Sequence, residues 1–121
     1  MKLTGLIWAG LSVQDLERAV EFYQDVVGFR LRRSSADWAV FDAGGGALFE
    51  LVPGGKMSLA PKTAEQQAVV VGFGVDDLPG RIQELQARGV NFIGEMEAYK
   101  SSRWIKLVDP EGNVLELKEV L

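Results

Sequence analysis

Apolar positions recur along the chain with two periods, which predict strands and helices in a fixed order. A strand is predicted from Leu6 to Val13, where nearly every residue is apolar. Residues 16–27 then place apolar side chains three and four apart, as on one face of a helix, with Asp15 at the N-cap position and Gly28 at the end. Further strands are predicted at 29–33, 38–42 and 47–52, the last two joined by a glycine turn.

The second half of the chain repeats this order. A strand is predicted at 69–75, followed by a helix that starts near Asp77 and ends at Gly89. Three more strands are predicted, at 90–97, 103–108 and 114–119. Short matches support an internal repeat: VQDL at 13–16 resembles VDDL at 75–78, and FEL at 49–51 resembles LEL at 115–117. The predicted fold is therefore α+β, with two βαβββ modules that form a curved mixed sheet around a cleft.

The segment between the two patterns, residues 53–67, contains Pro, Gly, Ser, Lys and Gln with little periodicity. It is interpreted either as the connection between the modules or as a loop over a site. We therefore expect one domain over residues 1–121, with module one at about 1–52 and module two at about 68–121.

Strand alternation assigns side chains to the two faces of the sheet, because successive residues of a strand point in opposite directions. In the first strand of each module, the sets expected under the helices are Ile7, Ala9, Leu11 and Val13, and Val69, Val71, Phe73 and Val75. The sets expected to face the cleft are Leu6, Trp8 and Gly10, and Val70, Gly72 and Gly74. In the last strands, the residues expected to face the cleft are Leu48, Glu50, Val114 and Glu116.

Glu50 and Glu116 thus occupy equivalent positions in the repeat, which favours a shared role. The alternative is that both are ordinary polar residues on a wet sheet face.

The amino-acid composition limits the kinds of catalysis and ligand binding that the chain can carry out. The 121 residues contain no Cys and no His, which excludes disulfides, thiolate chemistry and imidazole as a base or ligand. The net charge of −4 gives no reason to expect nucleic acid as a partner. No apolar run reaches membrane-spanning length, and the N-terminal segment is interpreted as a strand rather than a signal peptide. The expected location is cytoplasmic.

Two stretches carry a family resemblance, VQDLERAVEFYQDVVGF at 13–29 and DPEGNVLEL at 109–117. Together with the repeat they resemble the vicinal oxygen chelate superfamily, which includes glyoxalases, bleomycin-resistance proteins and extradiol dioxygenases. The resemblance implies a homodimer and, in metal-using members, one divalent ion bound by the first and last strands of each half. The corresponding positions here are Trp8, Glu50, Val70 and Glu116. Because indole and isopropyl groups do not ligate metals, the resemblance departs from the family here, and no metal or other cofactor is predicted.

The sequence is therefore interpreted as a metal-independent protein that binds, and sequesters, a planar or cationic small molecule. Trp8 would stack against the ligand. The other residues proposed to line the site are Glu50, Val70, Glu116, Leu48, Gly72, Val114, Trp38, Trp104 and Arg103. Core packing is the alternative for Trp38 and Trp104.

Two other functions remain open. In a lyase or isomerase, Glu50 or Glu116 would act as a general base or a partial metal ligand, and Arg103 or Lys106 would hold an anionic substrate. Because these two basic residues alternate on one strand, only one of them faces the cleft. Alternatively, the site is inactive and the protein only dimerises or binds a partner.

Overall fold

The computed structural model describes residues 1–121, which fall into two compact units, Met1–Met57 and Ser58–Leu121. The first unit contains β1 (Trp8–Val13), α1 (Leu16–Glu21), a π-helical segment (Phe22–Val27), β2 (Arg30–Ser34), β3 (Ala39–Asp42) and β4 (Leu48–Pro53). The second contains β5 (Val71–Gly74), α2 (Leu78–Ala87), β6 (Asn91–Tyr99), β7 (Ser102–Val108) and β8 (Val114–Val120). Each unit is a βαβββ module, as the sequence predicted.

Each unit forms one mixed four-stranded sheet, with strand orders β1-β4-β3-β2 and β5-β8-β7-β6. The first and last strands of each module are parallel neighbours, and the other pairs are antiparallel. This order places the two carboxylates predicted to be equivalent in equivalent pairs, because Glu50 lies beside Gly10 and Glu116 lies beside Gly72.

The predicted helix of the first unit forms in two parts. Asp15 caps it by accepting a hydrogen bond from the Arg18 backbone N–H at 3.1 Å. Its last turn widens into the π-helical segment, which ends at Gly28 with a φ of +90°. The segment buries Tyr23 completely against the sheet, with ring centroids 5.4 Å from Phe49 and 5.8 Å from Phe29. These aromatic rings form the core of the first unit on the helix side of its sheet.

The second unit holds its helix differently. Asp77 adopts a φ of +46°, and its side chain accepts a hydrogen bond from the Gly80 N–H at 3.4 Å. Glu119 on β8 adds two hydrogen bonds, because its carboxylate accepts from the Asp77 and Leu78 backbone N–H groups at 3.1 and 2.9 Å. A side chain from the sheet thus caps the start of α2.

Segment 58–67 is hydrogen-bonded to the turn between β7 and β8. The Gln67 carboxamide both accepts from the Val114 N–H and donates to the Val114 carbonyl, at 2.7 Å each, as a neighbouring strand would. The Lys62 ammonium donates to the Asn113 side chain at 2.6 Å, and the Ser58 N–H donates to the Glu111 carbonyl at 2.9 Å. This part of the predicted linker therefore belongs to the second unit.

Two expectations about burial were wrong at the strand starts. Ile7 and Val69 were expected under the helices, yet they are 68% and 72% exposed. Both precede the strands, since β1 begins at Trp8 and β5 at Val71. Apolar runs predict that a strand exists more reliably than they predict its first residue.

Candidate functional site

The face of the first sheet that points away from α1 carries the predicted site residues of that unit. Across the four strands, one row of paired positions runs Gly10, Glu50, Val40 and Arg33. Trp8 and Leu48 form the adjacent pair of positions on β1 and β4. The buried neighbours in β4, Phe49 and Leu51, point to the helix side. Strand alternation therefore assigned this face correctly.

Trp8 and Glu50 are in direct contact. The indole Nε1–H donates a hydrogen bond to Glu50 Oε1 at 3.0 Å, although the two residues are 42 positions apart in the sequence. The Trp8 side chain is still half exposed, at 52%. An exposed aromatic ring held by a polar contact offers a planar surface to a ligand at little cost in ordering entropy.

Gly10 leaves room for the Trp8 indole to lie against the β1 backbone. A Cβ atom added at Gly10 would come within 2.7 Å of Trp8 Cζ2, which real Cβ atoms essentially never do. The ring therefore lies across the glycine, and the absence of a side chain there is required by the close approach.

A pocket of about 290 Å³ opens on the same sheet. It is lined by Arg32, Arg33, Val40, Gly46 and Leu48. Leu48 connects it to the indole, because Leu48 is the strand neighbour of Trp8. Of these lining residues, only Leu48 was predicted from the sequence.

The equivalent face of the second sheet carries a different set of groups. Gly72, Glu116, Lys106 and Ile93 form one row of paired positions, so Lys106 lies directly beside Glu116. A Cβ atom at Gly72 would lie 3.5 Å from Glu116 Oε2, an ordinary contact distance. This carboxylate therefore lies over the glycine of the neighbouring strand, as Trp8 lies over Gly10 in the first unit.

The structure decides between the two basic residues of β7. Arg103 was included in the predicted site, but it lies on the helix side of the sheet with the buried Ile105 and Leu107. Its guanidinium donates a hydrogen bond to the Glu119 carboxylate at 2.8 Å. The same carboxylate caps the start of α2. Arg103 is therefore a structural residue of the helix cap, and Lys106 shares the face of Glu116.

Two apolar site residues also differ from expectation. Val70 precedes β5 instead of lying within the strand, and its side chain is exposed. Val114 is only 6% exposed, so it offers little surface to a ligand. Its backbone bonds to Gln67 show that segment 58–67 is placed against the start of β8.

The remaining two tryptophans are partly exposed and each lies beside a cation. Arg33 Cζ is 5.9 Å from the ring centroid of Trp38, and Lys118 Nζ is 5.3 Å from that of Trp104. Such contacts occupy one face of each ring. Trp8 differs from both because its polar contact is made through the ring nitrogen, in the plane of the ring.

The donor groups do not fit the divalent ion of metal-using family members. Of the two corresponding positions in each unit, one holds a carboxylate and the other holds Trp8 or Val70, which have no donor for a metal. One oxygen of Glu50 already accepts the indole N–H. No cluster of three His, Cys, Asp or Glu side chains suited to a metal occurs in the described chain.

The pocket arginines were missed by sequence reasoning, although a signal existed. The stretch Arg30-Leu31-Arg32-Arg33 starts as a polar and apolar alternation and then breaks it. In the structure the pairing of β2 with β3 shifts register between Leu31 and Arg33. A β-bulge inserts an extra residue and so breaks the alternation of a strand, and bulges are over-represented beside active sites.

The topology and the paired strands define a protein of the glyoxalase-like α+β class. The family model described as Glyoxalase/Bleomycin resistance protein/Dioxygenase superfamily matches residues 5–117, so the chain belongs to this superfamily. Neither helix of the structure is long and apolar enough to cross a membrane.

The chain is also similar to individual proteins. The chain is 27% identical over 113 residues to the uncharacterized protein YetH of Bacillus subtilis, covering 88% of this chain and 91% of the relative. A glyoxalase/dioxygenase structure from Nostoc punctiforme superposes with a TM-score of 0.80 at 15% identity, over 98% of this chain and 92% of that one. The structure of the fosfomycin resistance protein FosX from Listeria monocytogenes superposes with a TM-score of 0.73 at 20% identity. The match covers 99% of this chain and 96% of that one. At these identities the structural matches establish the fold.

Proposed function

We propose that the protein binds a planar small molecule against the Trp8 indole without using a metal, and that it acts by sequestering that molecule. The observation that carries the proposal is the half-exposed indole, fixed in the plane of its ring by Glu50 and seated on Gly10. A flat ring held in one orientation favours stacking with another flat ring. The Glu50 carboxylate beside it also suits a ligand that carries positive charge near the ring.

The family context supports a role in binding drug-like compounds. The superfamily includes bleomycin-resistance proteins, and one structural neighbour is a fosfomycin resistance protein. Resistance by sequestration is the role we propose here, for a ligand with a planar body.

The binding test uses two planar probes, neutral fluorene-2-carboxamide and cationic N-methylacridinium, added to uniformly ¹⁵N-labelled protein. The three tryptophans give three indole N–H resonances, which are assigned with Trp8→Phe, Trp38→Phe and Trp104→Phe variants. We expect saturable shifts of the Trp8 resonance with either probe. The function is contradicted if neither probe moves that resonance, or if Trp8→Phe binds as tightly as the unaltered protein while Trp104→Phe binds more weakly.

The metal-free part of the proposal is tested by titrating EDTA-treated protein with Mg²⁺, Mn²⁺, Co²⁺, Ni²⁺ and Zn²⁺ in a calorimeter. We expect no tight binding, because the donor set lacks two of four ligands. Tight binding that a Glu50→Gln/Glu116→Gln variant loses would contradict the metal-free part of the proposal and make these two carboxylates metal ligands.

A lyase or isomerase is the second candidate, and one observation favours it. Glu116 lies beside Lys106 on an open sheet face, so a carboxylate base and a cation for an anionic substrate are adjacent. Loss of turnover in Glu116→Gln, with an unchanged melting temperature, would support this enzyme over a binding protein.

A further inference from the structure

We infer that the pocket beside Trp8 binds an oxyanion group of the ligand, a carboxylate or a related anion, through Arg32 and Arg33. This inference rests on the proposed function, since it adds a second contact to the same ligand. It assigns a role to a pocket that the Trp8 and Glu50 contacts leave unused.

The β2 bulge places both guanidinium groups at one pocket. In a regular strand, neighbouring residues point to opposite faces, so Arg32 and Arg33 would be separated by the sheet. The shift of register between Leu31 and Arg33 interrupts this alternation. Both arginines consequently line the same pocket, while Leu31 pairs with the buried Phe41. Re-aiming a side chain is a common role of a bulge.

The two arginines have no carboxylate partner in their own unit. The ion pairs of the structure involve Arg81, Arg88 and Arg103, all in the second unit. Arg33 instead lies over the Trp38 ring, which holds its guanidinium without neutralising it. Two adjacent unneutralised guanidinium groups are a strong site for an oxyanion, since each can donate paired N–H groups to two oxygens.

The walls of the pocket suit the part of a ligand that carries such an anion. Val40 and Leu48 are apolar, and Val40 is 6% exposed. Gly46 lies in the β3–β4 turn and adds no side chain to block the opening. An apolar floor between an indole and two cations favours a planar aromatic acid over a simple inorganic ion.

The position of the pocket relative to Trp8 sets the length of the ligand. Arg33 and Glu50 lie two strands apart in the same row, which corresponds to roughly 10 Å. The Trp8 indole reaches Glu50 through its hydrogen bond. A ligand of about three fused rings would therefore contact the indole at one end and the arginines at the other.

The test compares fluorene-2-carboxylate with its neutral analogue fluorene-2-carboxamide. We expect the carboxylate to bind about tenfold more tightly, as charge-assisted hydrogen bonds imply. An Arg32→Gln/Arg33→Gln variant should lose this preference and still bind the carboxamide. The matched control is Arg30→Gln, which removes an exposed arginine of the same strand that does not line the pocket and should keep the preference.

The outcomes separate the inference from the proposed function. Equal affinity for the two probes, or a preference that survives in the double variant, overturns the oxyanion site while leaving planar binding at Trp8 intact. If neither probe moves the Trp8 resonance, titration with inorganic phosphate tests the inference by itself, followed at the backbone N–H resonances of Val40, Gly46 and Leu48, which line the pocket and remain in every variant. Shifts that the double variant removes and Arg30→Gln retains then support the anion site, and their absence overturns it.

Discussion

Trp8 and Gly10 act together at the scale of single residues, because the ring of one occupies the space above the other. Tryptophan is common on strands, whereas glycine is depleted there and often marks a close approach by another group. Their spacing of two residues places both on the same face, and β4 supplies the carboxylate that receives the indole N–H. The orientation of the Trp8 indole therefore depends on the lack of a side chain at Gly10.

This dependence gives a first prediction. In Gly10→Ala the new methyl group would displace the indole, so the hydrogen bond to Glu50 should break and the Trp8 indole N–H resonance should move. Affinity for a planar probe should fall by about 0.5–1.5 kcal/mol as stacking is lost. Gly74→Ala is the matched control, because a Cβ atom on that strand glycine meets nothing within 4 Å. An unchanged Trp8 resonance in Gly10→Ala would contradict the argument.

At the scale of elements, the cap of α2 depends on a charged side chain from β8. Hydrogen bonds from the Leu78 N–H, the Arg103 guanidinium and the Asp77 N–H lower the pKa of Glu119 below its ordinary value. These bonds favour the ionised carboxylate in the folded state. Helix attachment is therefore coupled to the ionisation of one residue.

The second prediction follows from the direction of that shift. Because the folded-state pKa is lowered, the stabilisation by Glu119 is present above the ordinary glutamate value of about 4.3 and is lost as the pH falls through the folded-state value. In urea unfolding from pH 7 into the acid range, Glu119→Gln should be less stable at pH 7 and should show a shallower decline.

Glu65→Gln, which alters an exposed glutamate, is the control and should follow the unaltered protein. A Glu119→Gln curve parallel to that of the unaltered protein would show that this carboxylate does not couple α2 to pH.

At the scale of the whole molecule, we propose that the protein is a homodimer, as its family resemblance implies. The segment before β1 exposes four large apolar residues, Met1, Leu3, Leu6 and Ile7, each at 68% or more. Apolar groups exposed together are typical of surfaces that associate with another chain.

Sedimentation equilibrium should therefore give twice the chain mass of 13.3 kDa. A Leu6→Glu/Ile7→Glu variant should shift the equilibrium toward monomer, because charge is unfavourable at an apolar interface. Leu59→Glu, on a fully exposed leucine of another segment, should leave it unchanged. A monomeric unaltered protein would disprove the dimer, and a dimer insensitive to the double variant would place its interface elsewhere.

Most of the architecture was predictable because it depends on local patterns. Asp15 as a helix cap, Gly28 as a helix end and the alternation of Phe49, Glu50 and Leu51 each follow from chemistry within a few residues. The repeat then indicated that two similar modules form. The bounds of β1 and β5 were less accurate, since an apolar residue just outside a strand has the same pattern as one inside it.

The amino-acid sequence was enough to predict the family, the two modules and the sheet faces that carry Trp8 and Glu50 in the first unit and Glu116 in the second. It was enough because side-chain period and turn chemistry are properties of neighbouring residues. Which of these groups come into contact depends on the tertiary structure. Arg103 donates a hydrogen bond to Glu119 on the helix side of its sheet. The Trp8 indole donates one to Glu50, which lies 42 positions away in the sequence. A register shift in β2 places Arg32 and Arg33 at one pocket. These contacts depend on strand pairing between distant segments, which a local pattern does not encode.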